Sequence, residues 1–267
     1  VVSPLGALPI YGRSSLLKKF YNFSVGKKII KNANKSIVAT LDELSAFRSY
    51  GVDDSEVVHI PNGINEEDYY AKNDGDFKTR LGLHNYPYFL FIGRLNHIKG
   101  PDILLEAFYS IKNIHTDIHL VYIGPDEGLL DSLIKKTEQY SVSDRVHFCG
   151  YVSRRDKSRI IHSSLFLTVP SRQEAMSIVV LEAGIAGKPV LITDECGFGE
   201  VEEIGGGLVV PADVKSLSKG LIKMLNQKDR FSSMGMHLKK SVQEKYLWSI
   251  AAEKHCSLFN NIITKTS

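Results

Sequence analysis

Two glutamates stand eight residues apart in the segment Ser171-Arg-Gln-Glu-Ala-Met-Ser-Ile-Val-Val-Leu-Glu-Ala-Gly, directly after a short apolar run. The apolar run predicts a buried strand, and the segment itself predicts a loop that leads into a helix. Glu174 should lie in the loop and Glu182 inside the helix, where a spacing of a little over two turns lets Glu182 share the ligand-facing side. Taken alone, two such glutamates are more typical of a solvated helix than of a site.

The start of the predicted helix offers hydrogen-bond donors. The first backbone N–H groups of a helix have no partner within it, and the helix dipole favours negative charge there. Here those groups belong to the residues from Ala175 to Val179, which include Met176, Ser177 and Ile178. Such a helix start is a natural site for phosphate.

A second candidate segment reads Phe91-Ile-Gly-Arg-Leu-Asn-His-Ile-Lys-Gly-Pro. Gly93 should end a strand and allow a close approach of backbone. Arg94 and Lys99 bracket the loop that follows, and both could clamp a diphosphate, with roughly 1.5–3 kcal/mol for each charge-assisted contact. For either residue alone, a solvated loop cation is the alternative.

The elements that position these residues alternate from about Tyr86 onward. Six short apolar runs predict buried parallel strands, and amphipathic segments between them predict helices, the first with Pro101 in its first turn. This alternation indicates a doubly wound α/β domain, in which ligands bind at the carboxyl ends of the strands. The runs are YPYFLFIG, IHLVYIG, VHFCGYV, LFLTVPS, PVLIT and GGLVVPA.

The first 80 residues contain too few strand–helix units for a complete doubly wound sheet. SIVAT and VVHIP predict two strands, and LDELSAFRSYG predicts a helix closed by Gly51. The polar stretch from Asn62 to Phe77 is typical of an interdomain linker. Three helices are predicted after Asp213, and the last needs an apolar partner surface. A first helix, weakened by Gly26, could be lined by Leu16, Phe20, Phe23 and Ile30.

Global composition excludes several classes of protein. The chain has 267 residues, of which 43% are hydrophobic and 24% charged, which excludes a disordered chain and a collagen-like repeat. No apolar run approaches the roughly 18 residues that a transmembrane helix needs. The start at Val1 lacks the basic leader of a signal peptide and indicates a piece cut from a longer protein.

Neither a disulfide framework nor a metal site is expected. The three cysteines stand far apart without a C-x-x-C pair, which favours a reducing, cytoplasmic location. A D-x-D pair falls in the linker rather than after a strand, and two histidines four residues apart fit surface positions better than metal ligands. These residues are Cys149, Cys196 and Cys256, then Asp74 and Asp76, then His115 and His119.

Positive charge is concentrated at the amino-terminal end. Residues 1–40 carry seven cations and no acid, whereas the whole chain has a net charge of only +3. A nucleic-acid partner is therefore not expected from the overall charge. The cations between residues 13 and 35 have two interpretations: a solvated helix, or attraction to anionic lipid at the inner face of the membrane, at about 1 kcal/mol per cation.

The ordered set of phrases resembles the retaining GT-B glycosyltransferases, specifically glycosyltransferase family 4. Any single phrase is weak, but the order and spacing are specific and extend over essentially the whole chain. Glu174 and Glu182 match the E-x7-E motif of that family. The other phrases are IPNGIN, GRLNHIKGPDILLEAF, VYIGPDEG, VHFCGYVS, GKPVLIT and GGLVVPAD.

The resemblance implies a role for each matching residue. Arg94 and Lys99 would hold the diphosphate of a nucleotide-sugar donor beside Gly93, and Glu174 would contact hydroxyls of the transferred sugar; these two cations and Glu174 would be the catalytic residues. Amides at Ala175, Met176, Ser177 and Ile178 would line the sugar and phosphate. Glu182 would accept hydrogen bonds from the ribose, and backbone near Val152 would meet the base.

The resemblance also implies the organisation of the chain. Residues 1–80 would be the trailing part of an amino-terminal, acceptor-side Rossmann-like domain with its linker. Residues 81–245 would form a complete Rossmann-like donor domain, and residues 246–267 a terminal helix that crosses back to the first domain.

The chemistry that the resemblance implies is a metal-independent, hexosyltransferase-type reaction that needs no cofactor. A UDP- or GDP-sugar would donate to a glycan or lipid-linked acceptor, in the assembly of a surface polysaccharide such as lipopolysaccharide. A nucleotide-sugar epimerase and a non-catalytic nucleotide-sugar-binding fragment are the rival hypotheses. Two departures from the family bear on the donor: Glu174 is followed by Ala-Met-Ser instead of glycines, and Leu5 stands where relatives often have histidine or arginine.

Overall fold

The computed structural model describes residues 1–5, 8, 20–70, 79, 82–83 and 86–266. The chain divides into two compact units, Val1–Gly63 together with Trp248–Ser267, and Ile64–Leu247. The predicted boundary differs from this division, because the segment that starts at Ile64 belongs to the larger unit and not to the first domain. The final helix is grouped with the amino-terminal residues.

The larger unit contains a six-stranded, entirely parallel sheet. Each strand lies in one of the six predicted apolar runs, and the predicted α/β fold class is confirmed. The strands are β3 (Tyr88–Ile92), β4 (His119–Ile123), β5 (Val146–Phe148), β6 (Leu167–Val169), β7 (Val190–Thr193) and β8 (Gly207–Val210).

The order of the strands places one reversal in the middle of the sheet. The chain runs outward from β3 through β4 to β5, then returns to the other side of β3 and runs outward again through β6, β7 and β8. This is the order of dinucleotide-binding folds, in which the ligand crevice lies where the order reverses. The loops after β3 and β6 therefore flank the expected ligand position.

Helices and aromatic side chains form the core around this sheet. The predicted apolar stripe of the helix that follows β3 is buried throughout, and Pro101 occupies the first turn of that helix. Phe89 packs edge-on against Phe108 and parallel to Phe166, and full burial of each such ring contributes about 1.5–3 kcal/mol. The helices are α3 (Pro101–Ile111), α4 (Leu130–Gln139), α5 (Arg154–Ser163), α6 (Ile178–Ile185), α7 (Val214–Leu225) and α8 (Phe231–Lys245).

The smaller unit is built on two parallel strands, β1 (Ser36–Val38) and β2 (Val57–His59). α1 (Lys27–Lys31) and α2 (Leu44–Ser49) accompany them, and α9 (Trp248–Thr266) ends the chain. Ala251 and Leu258 of α9 pack on Ile37 and Ile60, which supplies the apolar partner surface that the last helix needs. A helix of this kind depends on such packing for most of its stability.

The predicted first helix differs in one respect from the structure. Asn22–Gly26 form a π-helical turn that continues into α1, and the wider turn changes the angular position of the residues before it. Ile30 is buried, whereas Phe20 is 71% exposed, so these two residues of the predicted stripe do not share one face. Leu16 and the side chain of Phe23 lie outside the part of the chain that the structure describes. In the part of the chain described, no helix is long and apolar enough to cross a bilayer.

Candidate functional site

Lys99 and Glu174 meet where the strand order reverses. Lys99 follows β3 and Glu174 follows β6, and Lys99 Nζ lies 2.5 Å from Glu174 Oε1. Ser171 Oγ donates to the same oxygen at 2.6 Å. The Glu174 side chain is only 8% exposed, and a buried carboxylate is costly unless it is paired and hydrogen-bonded. The structure thus brings together two of the residues predicted from the sequence.

Arg172 joins the two loops by a second, independent set of contacts. Its guanidinium makes a bidentate pair with Asp102, at 2.8 and 2.7 Å, and donates to the backbone oxygen of His97 at 2.6 Å. Its own amide donates to the backbone oxygen of Ile98 at 2.8 Å. Burial disfavours the charge on Asp102, but the hydrogen bonds and charge of Arg172 outweigh it and hold the pKa of that carboxyl below its ordinary value. Sequence reasoning missed both residues.

Glu182 lies inside α6 and is also buried and paired. Its side chain is 7% exposed, and its Oε1 accepts hydrogen bonds from Lys157 Nζ and Tyr69 Oη, each at 2.6 Å. Burial and the nearby Glu182 carboxylate raise the pKa of Tyr69 far above its ordinary value, so the phenol keeps its proton. Lys157 and Tyr69 were not among the predicted residues, although they are the described neighbours that hold this carboxylate.

The two glutamates do not share a helix face, so the reason given for their spacing of eight residues is wrong. α6 begins at Ile178, and Glu174 precedes it in an irregular loop, so helical periodicity does not relate the two side chains. They contact different cations, Lys99 and Lys157. The sheet and its loops, rather than a shared helix face, determine where each carboxylate lies.

The start of α6 is less open than predicted. The amide of Ser177 is not a free donor, because it donates to the backbone oxygen of Cys196 at 3.2 Å. The described residues provide no acceptor for the amides of Ala175 and Met176. The hydroxyl of Ser177 is buried without a hydrogen-bond partner among the described residues. Two amide donors therefore remain in the loop directly before α6, close to the helix end where negative charge is favoured.

Arg94 is exposed, and its charge is paired with a carboxylate from the next loop. Its Nη1 lies 3.0 and 3.2 Å from the two oxygens of Glu127, and Asn96 Nδ2 donates to Glu127 at 2.7 Å. The hydrogen bonds from Asn96 and Arg94 lower the pKa of Glu127. Because the Arg94 side chain is 53% exposed, this pair adds little stability and can exchange its partner.

A close backbone approach occurs at Gly93, but the residue that must be glycine there is Gly124, which lies against it. Gly93 donates its amide to the backbone oxygen of Ile123 at 2.9 Å. Gly124 has φ +139°, and a Cβ on it would lie 1.9 Å from the backbone oxygen of Gly93. Only glycine permits this contact, which brings the loops after β3 and β4 together.

A cavity of about 390 Å³ opens at the carboxyl ends of β3, β4 and β5. Leu95, Tyr122, Gly150 and Tyr151 line it, whereas Val152 does not and lies two residues before α5. The predicted base contact at Val152 thus falls two residues after Gly150, which does line the cavity. Burial raises the pKa of the Cys149 thiol in its wall to about 11, so this thiol is protonated at neutral pH.

Across the described ranges, no group of three or more histidine, cysteine, aspartate or glutamate residues could hold a metal ion. The linker pair Asp74 and Asp76 lies outside the described residues.

A family model decides the family of this chain. The model described as "Glycosyl transferases group 1" matches residues 75–241, more than half of the chain and nearly all of the larger unit. The chain belongs to the glycosyl transferases group 1 family. The matched region includes the loops with Arg94, Lys99 and Glu174, and helix α6 with Glu182.

Curated relatives of this group 1 chain are longer than the chain itself. Spore coat protein SA of Bacillus subtilis is 26% identical over 221 residues, 77% of this chain and 59% of the relative. The D-inositol 3-phosphate glycosyltransferase of Nocardia farcinica is 26% identical over 220 residues, 79% of this chain and 49% of the relative. The chain therefore spans about half to three-fifths of the length of these relatives.

Solved structures share the fold over almost the whole chain. HepE of Anabaena in complex with UDP and glucose superposes with a TM-score of 0.81 at 18% identity, covering 97% of this chain and 71% of the other. The α/β architecture matches GT-B glycosyltransferase structures. At this identity the likeness concerns the fold.

Proposed function

We propose that the group 1 domain binds a nucleotide-diphosphate sugar and transfers the sugar, with retention of configuration, to a glycan or lipid-linked acceptor. The observation that carries the proposal is the contact of Lys99 with Glu174 at the reversal of the strand order. One cation and one carboxylate, held at the crevice of this fold, can bind the two unlike parts of such a donor. HepE, of the same fold, is described with UDP and glucose.

Positive groups would stabilise the leaving nucleoside diphosphate. Breaking the sugar–phosphate bond leaves negative charge on the phosphate, and fixed donors lower the barrier when they face that charge. Arg94, Lys99 and the free amides in the loop directly before α6 are the donors for this task. Arg94 and Lys99 are paired with Glu127 and Glu174 in the present structure, so a bound diphosphate would share or replace these partners.

Glu174 would bind hydroxyls of the sugar, and no protein nucleophile is proposed. The leaving phosphate oxygen would accept the proton of the attacking acceptor hydroxyl as that hydroxyl bonds to the sugar carbon on the same face. Every proton then moves between substrates, and the protein supplies orientation and charge. We propose that the reaction needs neither a cofactor nor a metal ion.

Binding of the donor is the first test. In calorimetric titrations with UDP and GDP we expect binding of one or both, and a loss of at least tenfold in affinity when Arg94→Ala and Lys99→Ala are combined. The matched control removes two exposed lysines of α7, Lys215→Ala and Lys219→Ala. Equal affinity in the site variant and the control would contradict the proposal that Arg94 and Lys99 bind the diphosphate.

Turnover separates this proposal from its rivals. A screen of nucleotide sugars is run with and without a mixture of glycan and lipid-linked acceptors, and products are identified by mass spectrometry. A transferase forms a glycosylated acceptor. Free nucleotide with an altered sugar, formed without any acceptor, indicates the epimerase, and binding without turnover indicates a non-catalytic domain.

The basic segment fits an acceptor at an anionic membrane surface. Lys27, Lys28 and Lys31 are exposed on α1, next to exposed Val25 and Ile29. Lysines attract anionic lipid, and apolar side chains can insert at the interface. Arg13, Lys18 and Lys19 lie outside the described residues.

Vesicle sedimentation tests the membrane proposal. We expect more binding to vesicles with phosphatidylserine than to neutral ones, and a reduction in the triple variant of the three α1 lysines to alanine. Equal binding to both kinds of vesicle would contradict it. The charge-matched control removes three exposed lysines of α7 by Lys215→Ala, Lys219→Ala and Lys223→Ala.

A further inference from the structure

The short turn Glu66–Tyr69 lies in the predicted linker, but it is anchored to α5 at three points. Arg154 Nη1 lies 3.0 Å from Asp68 Oδ1, and His162 Nε2 lies 2.8 Å from the backbone oxygen of Tyr69. Lys157 Nζ lies 5.8 Å from the centre of the Tyr69 ring. These contacts determine where the phenol of Tyr69 points.

That phenol completes an asymmetric arrangement around Glu182. Tyr69 Oη and Lys157 Nζ both donate to Oε1 of Glu182. None of the described residues donates to Oε2. A carboxylate oxygen offers about two acceptor sites, so the two donors fill Oε1. Two acceptor sites remain, and both are on Oε2.

We infer that Tyr69 and Lys157 are positioning residues that reserve Oε2 of Glu182 for two neighbouring hydroxyls of the ligand. The inference rests on the proposed function, in which Glu182 binds the ribose of the donor. The 2′- and 3′-hydroxyls of a ribose can use both acceptor sites of one oxygen, whereas a 2′-deoxyribose leaves one site unused.

Tyr69 makes this discrimination depend on the turn. Without its hydroxyl, Oε1 regains an acceptor site and the carboxylate can rotate. The single hydroxyl of a deoxyribose then still finds an acceptor, so the affinity for the deoxynucleotide changes little. The two hydroxyls of a ribose no longer find Oε2 in a fixed position, so the affinity for the ribonucleotide falls. The preference for ribose should shrink, mainly through weaker binding of the ribonucleotide.

The test compares UDP with 2′-deoxy-UDP, and GDP with 2′-deoxy-GDP, by calorimetric titration of the chain and its Tyr69→Phe variant. We expect the chain to prefer the ribose form about tenfold, and the variant to prefer it about twofold. Tyr70→Phe is the matched control, because it removes the hydroxyl of the adjacent, exposed tyrosine and should keep the full preference.

The ratio of the two affinities distinguishes positioning from mere stability, since a loss of folded protein lowers both affinities alike. Should Tyr69→Phe fail to fold, Lys157→Arg displaces the other donor while it keeps the charge, and the same reduced ratio is expected. A ribose preference retained in the variant overturns the inference and leaves the proposed function intact. No binding of any of the four nucleotides by the unmodified chain overturns the proposed function itself.

Discussion

At the scale of single residues, the candidate site holds its charges in pairs. Arg94 lies against Glu127, Lys99 against Glu174, and Lys157 against Glu182. The two buried carboxylates require such partners, because an unpaired buried charge is strongly destabilising. Under the proposed function, a donor that binds here would exchange one set of partners for another. Its affinity would therefore be a difference between two sets of charge-assisted hydrogen bonds.

Arg172 gives a prediction at this scale. In Arg172→Lys the charge remains, but the bidentate geometry with Asp102 and the bond to His97 cannot both be reproduced. Because this pair is partly buried, we expect a loss of about 1–2 kcal/mol in the free energy of unfolding, discounted for solvent, by chemical denaturation. Arg48→Lys is the control, since Arg48 makes a bidentate pair with Asp54 on an exposed surface, and its effect should be much smaller.

The effect of Arg172→Lys should also depend on pH. The pKa of Asp102 is lowered in the folded chain, so its pairing stabilises the fold above the ordinary pKa of an aspartate and is lost as the pH falls through the lowered value. The difference between the chain and the variant should shrink below about pH 3.9. A difference that is constant down to pH 2 would show that Asp102 is not the partner that matters.

Single residues also show where sequence reasoning stops. The types Arg94, Lys99, Glu174 and Glu182 could be recognised, but their partners could not. Lys99 and Glu174 are 75 residues apart in the chain, and Arg94 and Glu127 are 33 apart. Periodicity acts over a few turns of helix and carries no information at such separations.

At the scale of elements, the two ends of the sheet behave differently. The carboxyl ends carry the candidate site, whereas toward the amino ends of β4 and β5 the buried His119 lies against the half-buried His147. His119 Nδ1 lies 2.9 Å from His147 Nε2, and Tyr86 stacks on His119 at 4.1 Å. His119 is only 6% exposed, so the expectation of a surface histidine is wrong for it. Burial first, then the nearby charges of His147 and Arg145, lower its pKa to about 4.

This histidine makes stability depend on pH. Between its ordinary pKa of 6.5 and about 4, the unfolded chain binds a proton that the folded chain does not, so stability falls as the pH falls through this range. In His119→Phe, which keeps a ring between its neighbours, the dependence should be flatter. The measurement is the midpoint of thermal unfolding at pH 7, 6, 5 and 4.

The control for this prediction is His237→Phe, which replaces an exposed histidine of α8 and should leave the pH profile of the chain unchanged. A His119→Phe profile as steep as that of the unmodified chain would show that another group causes the acid sensitivity.

The elements themselves were largely predictable from the sequence, and one was misinterpreted. Strands of a parallel sheet are buried on both faces, so each appears as a continuous apolar run with turn residues after it. The segment at Tyr69 has no such pattern and looks like a linker. Its ordered turn depends on α5 and on a carboxylate 113 residues away, contacts that only the folded chain brings together.

At the scale of the whole molecule, strand–helix alternation indicated the fold class, and the phrases indicated the family. Periodicity could not give the order of the strands, because the pattern of an apolar run does not depend on its neighbours. Nor did it place the beginning of the larger unit, since the change at Ile64 falls inside polar sequence and is determined by packing. The predictable features are those encoded within a single strand or helix, such as its apolar pattern and the turn residues that follow it.

The reversal between β3 and β6 divides the larger unit into two halves with a seam between them. One half contributes Arg94, Lys99 and Lys157, and the other contributes Glu174 and Glu182. A ligand that contacts both halves would bind only to the folded sheet, in which β3 and β6 are paired. At a concentration one hundred times its dissociation constant, such a ligand would add about 2.7 kcal/mol to the stability of the folded unit. Binding of the ligand and folding of the sheet would then be linked, so that a change in one changes the other.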